Sequence, residues 1–90
     1  IPGCRFLDLF SGSGAIGIEA ISRGAKEAVF VEFGKEALSC IRANLKKTKL
    51  ESQAVVFPVE VSYAISKLAR QQETFDIIYA DPPYERGFEP

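Results

Sequence analysis

An α/β fold with a parallel sheet and crossover helices is predicted by two features of this sequence. Short apolar runs alternate with amphipathic stretches in the order strand, helix, strand, helix, strand, helix, strand. Three of the apolar runs are continuous rather than alternating, as is typical of strands covered on both faces: Val29-Phe30-Val31, Val55-Val56-Phe57 and Ile77-Ile78-Tyr79. Because the carboxyl ends of parallel strands share one edge, residues that follow the strands are candidates for a binding site.

The first half of the chain is predicted to contain two strand–helix units. Residues 5–10 form the first strand, and residues 15–23 form a helix that stops at Gly24. Residues 28–32 form the second strand, and residues 35–47 form the second helix. One face of that helix is apolar, which predicts that it packs on the sheet; its residues are Ala37, Leu38, Ile41 and Leu45.

The second half is predicted to contain one more crossover and a fourth strand. Residues 54–59 form the third strand, which tolerates Pro58 only because it lies near the end. A helix follows, with apolar residues at i, i+3, i+4 and i+7: Val61, Ala64, Ile65 and Leu68. Residues 75–80 form the last strand. We expect residues 1–90 to be a single, partial domain, about half of a complete one.

Composition excludes several classes of function. The chain has no His, and its cysteines, Cys4 and Cys40, match no zinc or Cys–His spacing, so we predict buried free thiols and no metal site. No apolar run approaches the roughly 18 residues that span a bilayer, so we expect a cytoplasmic protein. The net charge is −1, which attracts no nucleic acid globally. The basic cluster is predicted to be a solvated helix end; it consists of Arg42, Lys46, Lys47 and Lys49.

The loop after the first strand is the first candidate for cofactor binding. Its sequence, Gly12-Ser13-Gly14-Ala15-Ile16-Gly17, matches the GxGxxG pattern of dinucleotide-binding folds. Glu32 lies about 20 residues after Gly12, where such folds place an acid that binds the ribose. An NAD(P)-dependent oxidoreductase is therefore one hypothesis.

Asp8 favours a different cofactor. A carboxylate near the mouth of the loop would repel a pyrophosphate but would attract the ammonium and sulfonium of S-adenosylmethionine. The alternative is a solvated acid at the end of a strand. Glu32 would accept both ribose hydroxyls, and Glu60 would either accept from the adenine amino group or cap the next helix. The loop residues expected to contact the cofactor are Phe10, Ser11, Gly12 and Gly14.

The tetrapeptide after the fourth strand, Asp81-Pro82-Pro83-Tyr84, is the candidate catalytic motif. An exocyclic amine on a nucleobase is a poor nucleophile, because its lone pair is delocalised into the ring. A carboxylate and a carbonyl that accept its two N–H groups would localise that lone pair and align it with a methyl donor. Prolines fix the backbone and offer no competing N–H, and Tyr84 offers a ring on which a flipped base could stack. The alternative is a proline-rich turn with a packing tyrosine.

With these residues in place, the chain resembles the class I S-adenosylmethionine-dependent methyltransferases, and specifically the RsmD-like family that methylates guanine N2 in 16S ribosomal RNA. The resemblance lies in residues 7–20, 22–25, 31–32, 44–45 and 75–84. It implies a Rossmann-like sheet, S-adenosylmethionine as cofactor and small-subunit ribosomal RNA as substrate. It also implies that Asp81 and Pro82 orient the guanine amine and that Tyr84 stacks on the base.

Other hypotheses remain open at this point. DNA adenine-N6 methyltransferases carry the same tetrapeptide, usually together with a target-recognition segment, and a non-catalytic cofactor-binding module would need only the glycine loop. Members of the resembling family have further segments before the first strand and after the fourth. We therefore expect the intact parent to be the enzyme and these residues alone to be weakly active or inactive.

Overall fold

The computed structural model describes residues 2–80, so the tetrapeptide of residues 81–84 lies outside the described residues. Within that range, strands and helices alternate in the order that the sequence predicts. The elements are β1 (Arg5–Asp8), α1 (Ala15–Ser22), β2 (Glu27–Val31), α2 (Lys35–Thr48), β3 (Ala54–Phe57), α3 (Val61–Arg70) and β4 (Ile77–Tyr79), with a 3-10 turn at Glu51–Gln53. The helices begin at or next to the predicted residues. Strands β1, β3 and β4 are shorter than predicted, whereas β2 has the predicted length but begins one residue earlier.

The strands form one parallel sheet in the order β3-β2-β1-β4. The chain moves in one direction from β1 through β2 to β3 and then returns past both to the far side of β1. Right-handed crossovers therefore put α1 and α2 on one face and α3 on the other. The chain places β2 and β3 on one side of β1 and β4 on the other, so the order of the strands reverses at β1. Ligands of open α/β sheets bind at such a point. The predicted parallel α/β sheet is confirmed.

Two hydrophobic clusters show this division of helices between the faces. One cluster joins the sheet to α1 and α2, through Phe6, Ala20, Ile21, Ala25, Ala28, Phe30, Ile41 and Leu45. The other joins the opposite face to α3, through Leu7, Leu9, Val29, Val31, Ala64 and Leu68. Burial of this apolar surface is the main stabilising term of the fold.

Continuous apolar runs predicted strands covered on both faces, and this holds for β2 but not for the edge strands. Phe30 and Val31 of β2 are fully buried, whereas Val55 of β3 is 36% exposed and Ile78 of β4 is 60% exposed. The cause is the topology, because β3 and β4 lie at the two edges and α3 is the sole described helix on their shared face.

The third strand ends earlier than predicted because of a local turn. The N–H of Val59 donates to the carbonyl of Phe57 at 2.9 Å, and Pro58 has no N–H to offer to a neighbouring strand. Gly24 has a φ of 106°, in the left-handed region, and thus ends α1 as predicted.

The cysteine prediction is wrong in part. Cys40 lies on the solvent side of α2 and is exposed, and Cys4 is only half-buried. The helical period explains the error, since the neighbouring Ile41 is the residue that faces the sheet. The basic residues at the end of α2 are exposed, as predicted. No helix in the described part of the chain has the length and apolar character needed to cross a bilayer.

Arg5 ties the strands together at the amino end of the sheet, away from the glycine loop. Its guanidinium contacts Glu27 at 3.0 Å and Glu73 at 2.9 Å. It also lies 4.6 Å from the ring centre of Phe75, and the Arg5 N–H donates to the Asp76 carboxylate at 2.8 Å. These contacts link β1, β2 and the segment that leads into β4.

Candidate cofactor-binding site

A tight glycine turn connects β1 to α1. The N–H of Gly14 donates to the carbonyl of Ser11 at 2.8 Å, which closes the turn. Gly12 and Gly14 have φ values of 56° and 83°, a conformation that favours glycine. Ser11 itself is buried, and its hydroxyl donates to the backbone carbonyl of Asp8 at 3.0 Å. The sequence of the loop therefore follows from the backbone geometry that the turn requires.

The third glycine of the pattern serves packing rather than binding. A β-carbon at Gly17 would lie 2.4 Å from Cε2 and 2.7 Å from Cζ of Phe30. Gly17 thus lets α1 approach β2 closely, which is the role expected of the last glycine in GxGxxG patterns. This match therefore reports a close helix–strand contact and does not by itself identify the cofactor.

Glu32 follows β2 and holds the glycine turn. Its Oε1 accepts the N–H of Gly12 at 2.8 Å, and its Oε2 accepts the N–H of Gly34 at 3.0 Å, where α2 begins. A carboxylate has about four acceptor positions, so each oxygen can still accept a hydroxyl. Glu32 is thus fixed in place and retains the capacity to bind a diol.

Asp8 is buried beneath the turn, so the alternative of a solvated strand-end acid is wrong. The residue is 1% exposed, and neither carboxylate oxygen has a hydrogen-bond partner within residues 2–80. Burial raises the pKa of Asp8 to about 6, and the negative charge of Glu32 adds to the rise. The Gly17 amide and the Ser11 hydroxyl, which lie near the carboxylate without bonding to it in regular geometry, partly oppose the rise. A buried acid without a partner is costly and marks a position where a ligand or function supplies the compensation.

A cleft of about 420 Å³ opens between the ends of β2 and β3. This volume suits a small organic ligand. Its walls are largely apolar and include Phe10 and Val59, with Glu32 and Glu60 as its acidic groups. Phe33, which is 70% exposed, also lines the cleft. The arrangement fits a flat apolar ring that carries polar groups on its edge.

Glu60 lies at the N-cap position of α3, but its side chain makes no capping hydrogen bond. Instead, its carboxylate accepts the hydroxyl of Ser62, and both residues line the cleft. Of the two roles predicted from sequence, the capping role is therefore not the one that the side chain performs. The carboxylate is available at the cleft wall.

Of the residues that line the cleft, sequence reasoning assigned Phe10, Glu32 and Glu60 to the site and missed the others, among them Phe33, Val59 and Ser62. Phe33 and Ser62 both line it, and each follows a predicted acid closely along the chain. A phenylalanine directly after Glu32, at the carboxyl end of a predicted strand, was a signal that could have identified Phe33, because aromatic side chains line many ligand pockets. Ser62 carried no such signal.

The end of β4 brings the chain back to the glycine turn. Tyr79 pairs with Asp8 in register, and the N–H of Leu9 donates to the Tyr79 carbonyl at 3.0 Å. The chain therefore leaves β4 at the edge where the turn and the cleft lie. The predicted catalytic residues Asp81, Pro82, Pro83 and Tyr84 follow, outside the described residues.

A parallel sheet of this order, with a glycine turn after β1 and a fixed acid after β2, is a Rossmann-like sheet, an architecture that class I methyltransferases share with dinucleotide-binding proteins. Residues 1–89 match the model of the family described as Conserved hypothetical protein 95. The chain belongs to this family, which is the RsmD family that the sequence resembles.

Known proteins of similar sequence or structure agree with this assignment. The ribosomal RNA small subunit methyltransferase D of Escherichia coli K12 is 38% identical over 87 residues, which cover 97% of this chain and 42% of the relative. A conserved hypothetical protein of Streptococcus pyogenes has a TM-score of 0.87 at 41% identity, covering 96% of this chain and 52% of that one. A SAM-dependent methyltransferase of Agrobacterium tumefaciens has a TM-score of 0.81 at 26% identity, and the match covers 89% of this chain and 26% of that one. The chain thus spans less than half the length of the curated relative from E. coli.

Proposed function

We propose that the full-length protein transfers a methyl group from S-adenosylmethionine to the exocyclic N2 amine of a guanine in 16S ribosomal RNA, in the cytoplasm. The observation that carries the proposal is the acidic site beside the glycine turn, in which Asp8 is buried without a partner and Glu32 is fixed with acceptor capacity to spare. The name of the E. coli relative, a ribosomal RNA small subunit methyltransferase, supports the substrate.

The residues of the cleft fit the adenosine half of this cofactor. Glu32 would accept the two ribose hydroxyls, and Glu60 would accept an N–H of the adenine amino group. Phe33 and Val59 supply apolar surface for the adenine ring. The buried carboxylate of Asp8 beneath the glycine turn, which has no hydrogen-bond partner among the described residues, disfavours a pyrophosphate at the turn and hence the dinucleotide of an oxidoreductase.

The glycine turn and Asp8 fit the methionine half. Asp8 places a negative charge beneath the turn in buried surroundings, where its attraction for a cation is stronger than in water. An ammonium or sulfonium nearby would compensate a carboxylate that has no other partner in the described part of the chain. S-Adenosylmethionine supplies an electrophilic methyl group on its sulfonium, and the role of the protein is to hold that group in line with the amine.

Asp81 and Pro82 would accept the N–H groups of the guanine amine, with Pro83 fixing the backbone and Tyr84 stacking on the base. This part of the proposal is supported by the sequence motif and by the position of β4, which ends beside the glycine turn. It needs no metal ion, since the carboxylate and carbonyl act directly on the amine.

Ligand binding separates the proposed cofactor from a dinucleotide. Calorimetric titration of the full-length protein with S-adenosylhomocysteine and with NAD is expected to show binding of the first alone. Binding of NAD with no response to S-adenosylhomocysteine would overturn the methyltransferase assignment and favour the oxidoreductase.

The substrate is tested in cells that lack the gene for the full-length protein. Mass spectrometry of their 16S ribosomal RNA is expected to show the loss of one N2-methylguanine, and the wild-type gene is expected to restore it. An unchanged set of N2-methylguanines in 16S ribosomal RNA, or a loss confined to 23S ribosomal RNA or DNA, would contradict the proposed substrate.

A further inference from the structure

Asn44 lies on α2, yet its side chain reaches the glycine turn. Its Nδ2 donates to the carbonyl of Ser13 at 3.0 Å, across 31 positions of the sequence. Asn44 is half-buried and has a lower helix propensity than alanine. The helix does not need this bond, because backbone groups supply its own hydrogen bonds. The contact therefore concerns the turn rather than α2.

The bond from Asn44 fixes one planar unit of the turn together with a second bond. The carbonyl of Ser13 and the N–H of Gly14 belong to the same peptide plane. Asn44 holds the carbonyl end, and the Ser11 carbonyl holds the N–H end at 2.8 Å. A plane held at both ends cannot rotate without breaking a bond.

The peptide unit between Ser11 and Gly12 is held in the same way. The N–H of Gly12 donates to Glu32, and the carbonyl of Ser11 accepts the N–H of Gly14. Two of the three peptide units in the turn are thus fixed at both ends, one through Glu32 and one through Asn44.

The middle peptide unit differs from both. Neither the Gly12 carbonyl nor the Ser13 N–H has a hydrogen-bond partner within residues 2–80, and Ser13 is exposed. Among the described contacts, this unit is therefore the part of the turn that is free to bind a ligand. Its orientation is set by the two fixed units on either side.

We infer that Asn44 is a positioning residue of the cofactor site, which acts through the Ser13 carbonyl to present the Gly12–Ser13 peptide unit to the cofactor. Gly12 and Gly14 have wide backbone freedom, so without these bonds the turn would sample many orientations. Fixing it in advance lowers the entropy cost of binding. The inference rests on the proposed function for the identity of the ligand and adds a residue to which neither the motif nor the cleft assigns a role.

The test compares full-length Asn44→Ala with Lys47→Ala, an exposed position on the same helix that makes no contact with the turn. Alanine has a higher helix propensity than asparagine, which offsets much of the lost hydrogen bond, so both variants are expected to melt within about 3 °C of the wild type. Hydrogen exchange of the Gly14 amide, measured without ligand, is expected to accelerate severalfold in Asn44→Ala alone. The Kd for S-adenosylhomocysteine is expected to rise about three- to tenfold in that variant alone.

The two measurements also separate this inference from the proposed function. Unchanged Gly14 exchange, or an unchanged Kd, in Asn44→Ala relative to Lys47→Ala would overturn the role of Asn44. Equal acceleration of exchange throughout the core would also overturn it, since that result indicates a merely structural role. If the wild-type protein did not bind S-adenosylhomocysteine, the proposed function would fail, and the ligand-free Gly14 exchange would still decide whether Asn44 fixes the turn.

Discussion

The ring of Phe30 fills the space beside Gly17, so that a β-carbon at residue 17 would lie 2.4 Å from Cε2 of the ring. Phe30 is fully buried and cannot swing into solvent. This contact sets the distance between α1 and β2 and thereby the position of the glycine turn that precedes α1.

Replacing Gly17 by alanine is expected to destabilise the protein. Overpacking of a filled core costs about 1–3 kcal/mol, whereas the gain in helix propensity returns about 1 kcal/mol. We therefore expect Gly17→Ala to lower the free energy of unfolding by up to about 2 kcal/mol in denaturant titrations. Ser22→Ala, at an exposed position of the same helix, is the control and should change little. A double variant with Phe30→Leu should lose less stability than the sum of the two single variants, and strict additivity would show that the two residues do not clash.

Replacing Asp8 by asparagine tests the buried charge through pH. The pKa of Asp8 is raised from 3.8 to about 6, so the folded protein keeps this proton at pH values where the unfolded chain has released it. The stability contributed by Asp8 is thus greatest below about pH 4, falls as the pH rises towards 6, and stays low above it. Asp8→Asn should remove this slope and stabilise the ligand-free protein at pH 7 by up to about 3 kcal/mol, the equivalent of a pKa raised from 3.8 to about 6.

Under the proposed function, the same Asp8→Asn variant should bind S-adenosylhomocysteine at least tenfold more weakly, because a neutral amide replaces the carboxylate that attracts the ammonium group of the ligand. Thermal melts from pH 4 to 7, with and without ligand, measure both effects, and Glu36→Gln at an exposed site is the control. A variant that is less stable than the wild type at pH 7 would contradict the assignment of Asp8 as an uncompensated buried acid.

Replacing Glu32 by glutamine should weaken both the turn and cofactor binding. The amide group retains one acceptor oxygen, so either Gly12 or Gly34 would face an N–H donor instead of an acceptor. We expect a loss of about 1–2 kcal/mol in stability and at least a tenfold rise in the Kd for S-adenosylhomocysteine. Glu36→Gln has the same change of charge on α2 and should bind normally. An equal Kd for Glu32→Gln and Glu36→Gln would remove Glu32 from the site.

Glu60 is predicted to recognise the adenine amino group. The wild-type protein should bind S-adenosylhomocysteine more tightly than its inosine analogue, which has an oxygen in place of that amine. Glu60→Ala should reduce this preference by roughly ten- to a hundredfold, as expected for the loss of one hydrogen bond to a charged group. Glu51→Ala, which removes an exposed acid outside the cleft, should leave the preference unchanged. If the two variants discriminated equally, Glu60 would have no part in base recognition.

Asp81 is predicted to act in the chemical step rather than in cofactor binding. In the full-length protein, Asp81→Asn should lower kcat for methyl transfer to ribosomal RNA at least a hundredfold, because the amide of asparagine accepts an N–H of the reacting amine more weakly than the carboxylate does. The Kd for S-adenosylhomocysteine should change less than twofold. Methyl transfer at the wild-type rate would exclude this carboxylate from the reaction.

The sequence predicted the order of the elements and the edge at which the site lies, because apolar periodicity and glycine positions are local properties. It predicted Glu32 as a site residue but not its bonds to Gly12 and Gly34, since these depend on how β2 meets the turn. It did not predict that Asp8 is fully buried, because burial depends on α1 closing over the end of β1.

The exposure of the edge strands could not be read from their composition. Ile78 belongs to a continuous apolar run like those of the central strands, yet it is 60% exposed. Strand order determines this difference, and strand order is set by long-range contacts that local periodicity does not encode. The solvent-facing position of Cys40 escaped prediction because thiols are usually buried, although the helical period of α2 turns it about 100° away from Ile41, which faces the sheet.

The ion pairs and aromatic contact of Arg5 lie at the end of the sheet remote from the cofactor cleft. Part of the resistance of the fold to heat thus comes from contacts that are spatially separate from the proposed cofactor site. Substitutions around Arg5 are therefore expected to shift the melting temperature without altering cofactor binding, which leaves this end of the sheet free to vary between hotter and colder habitats.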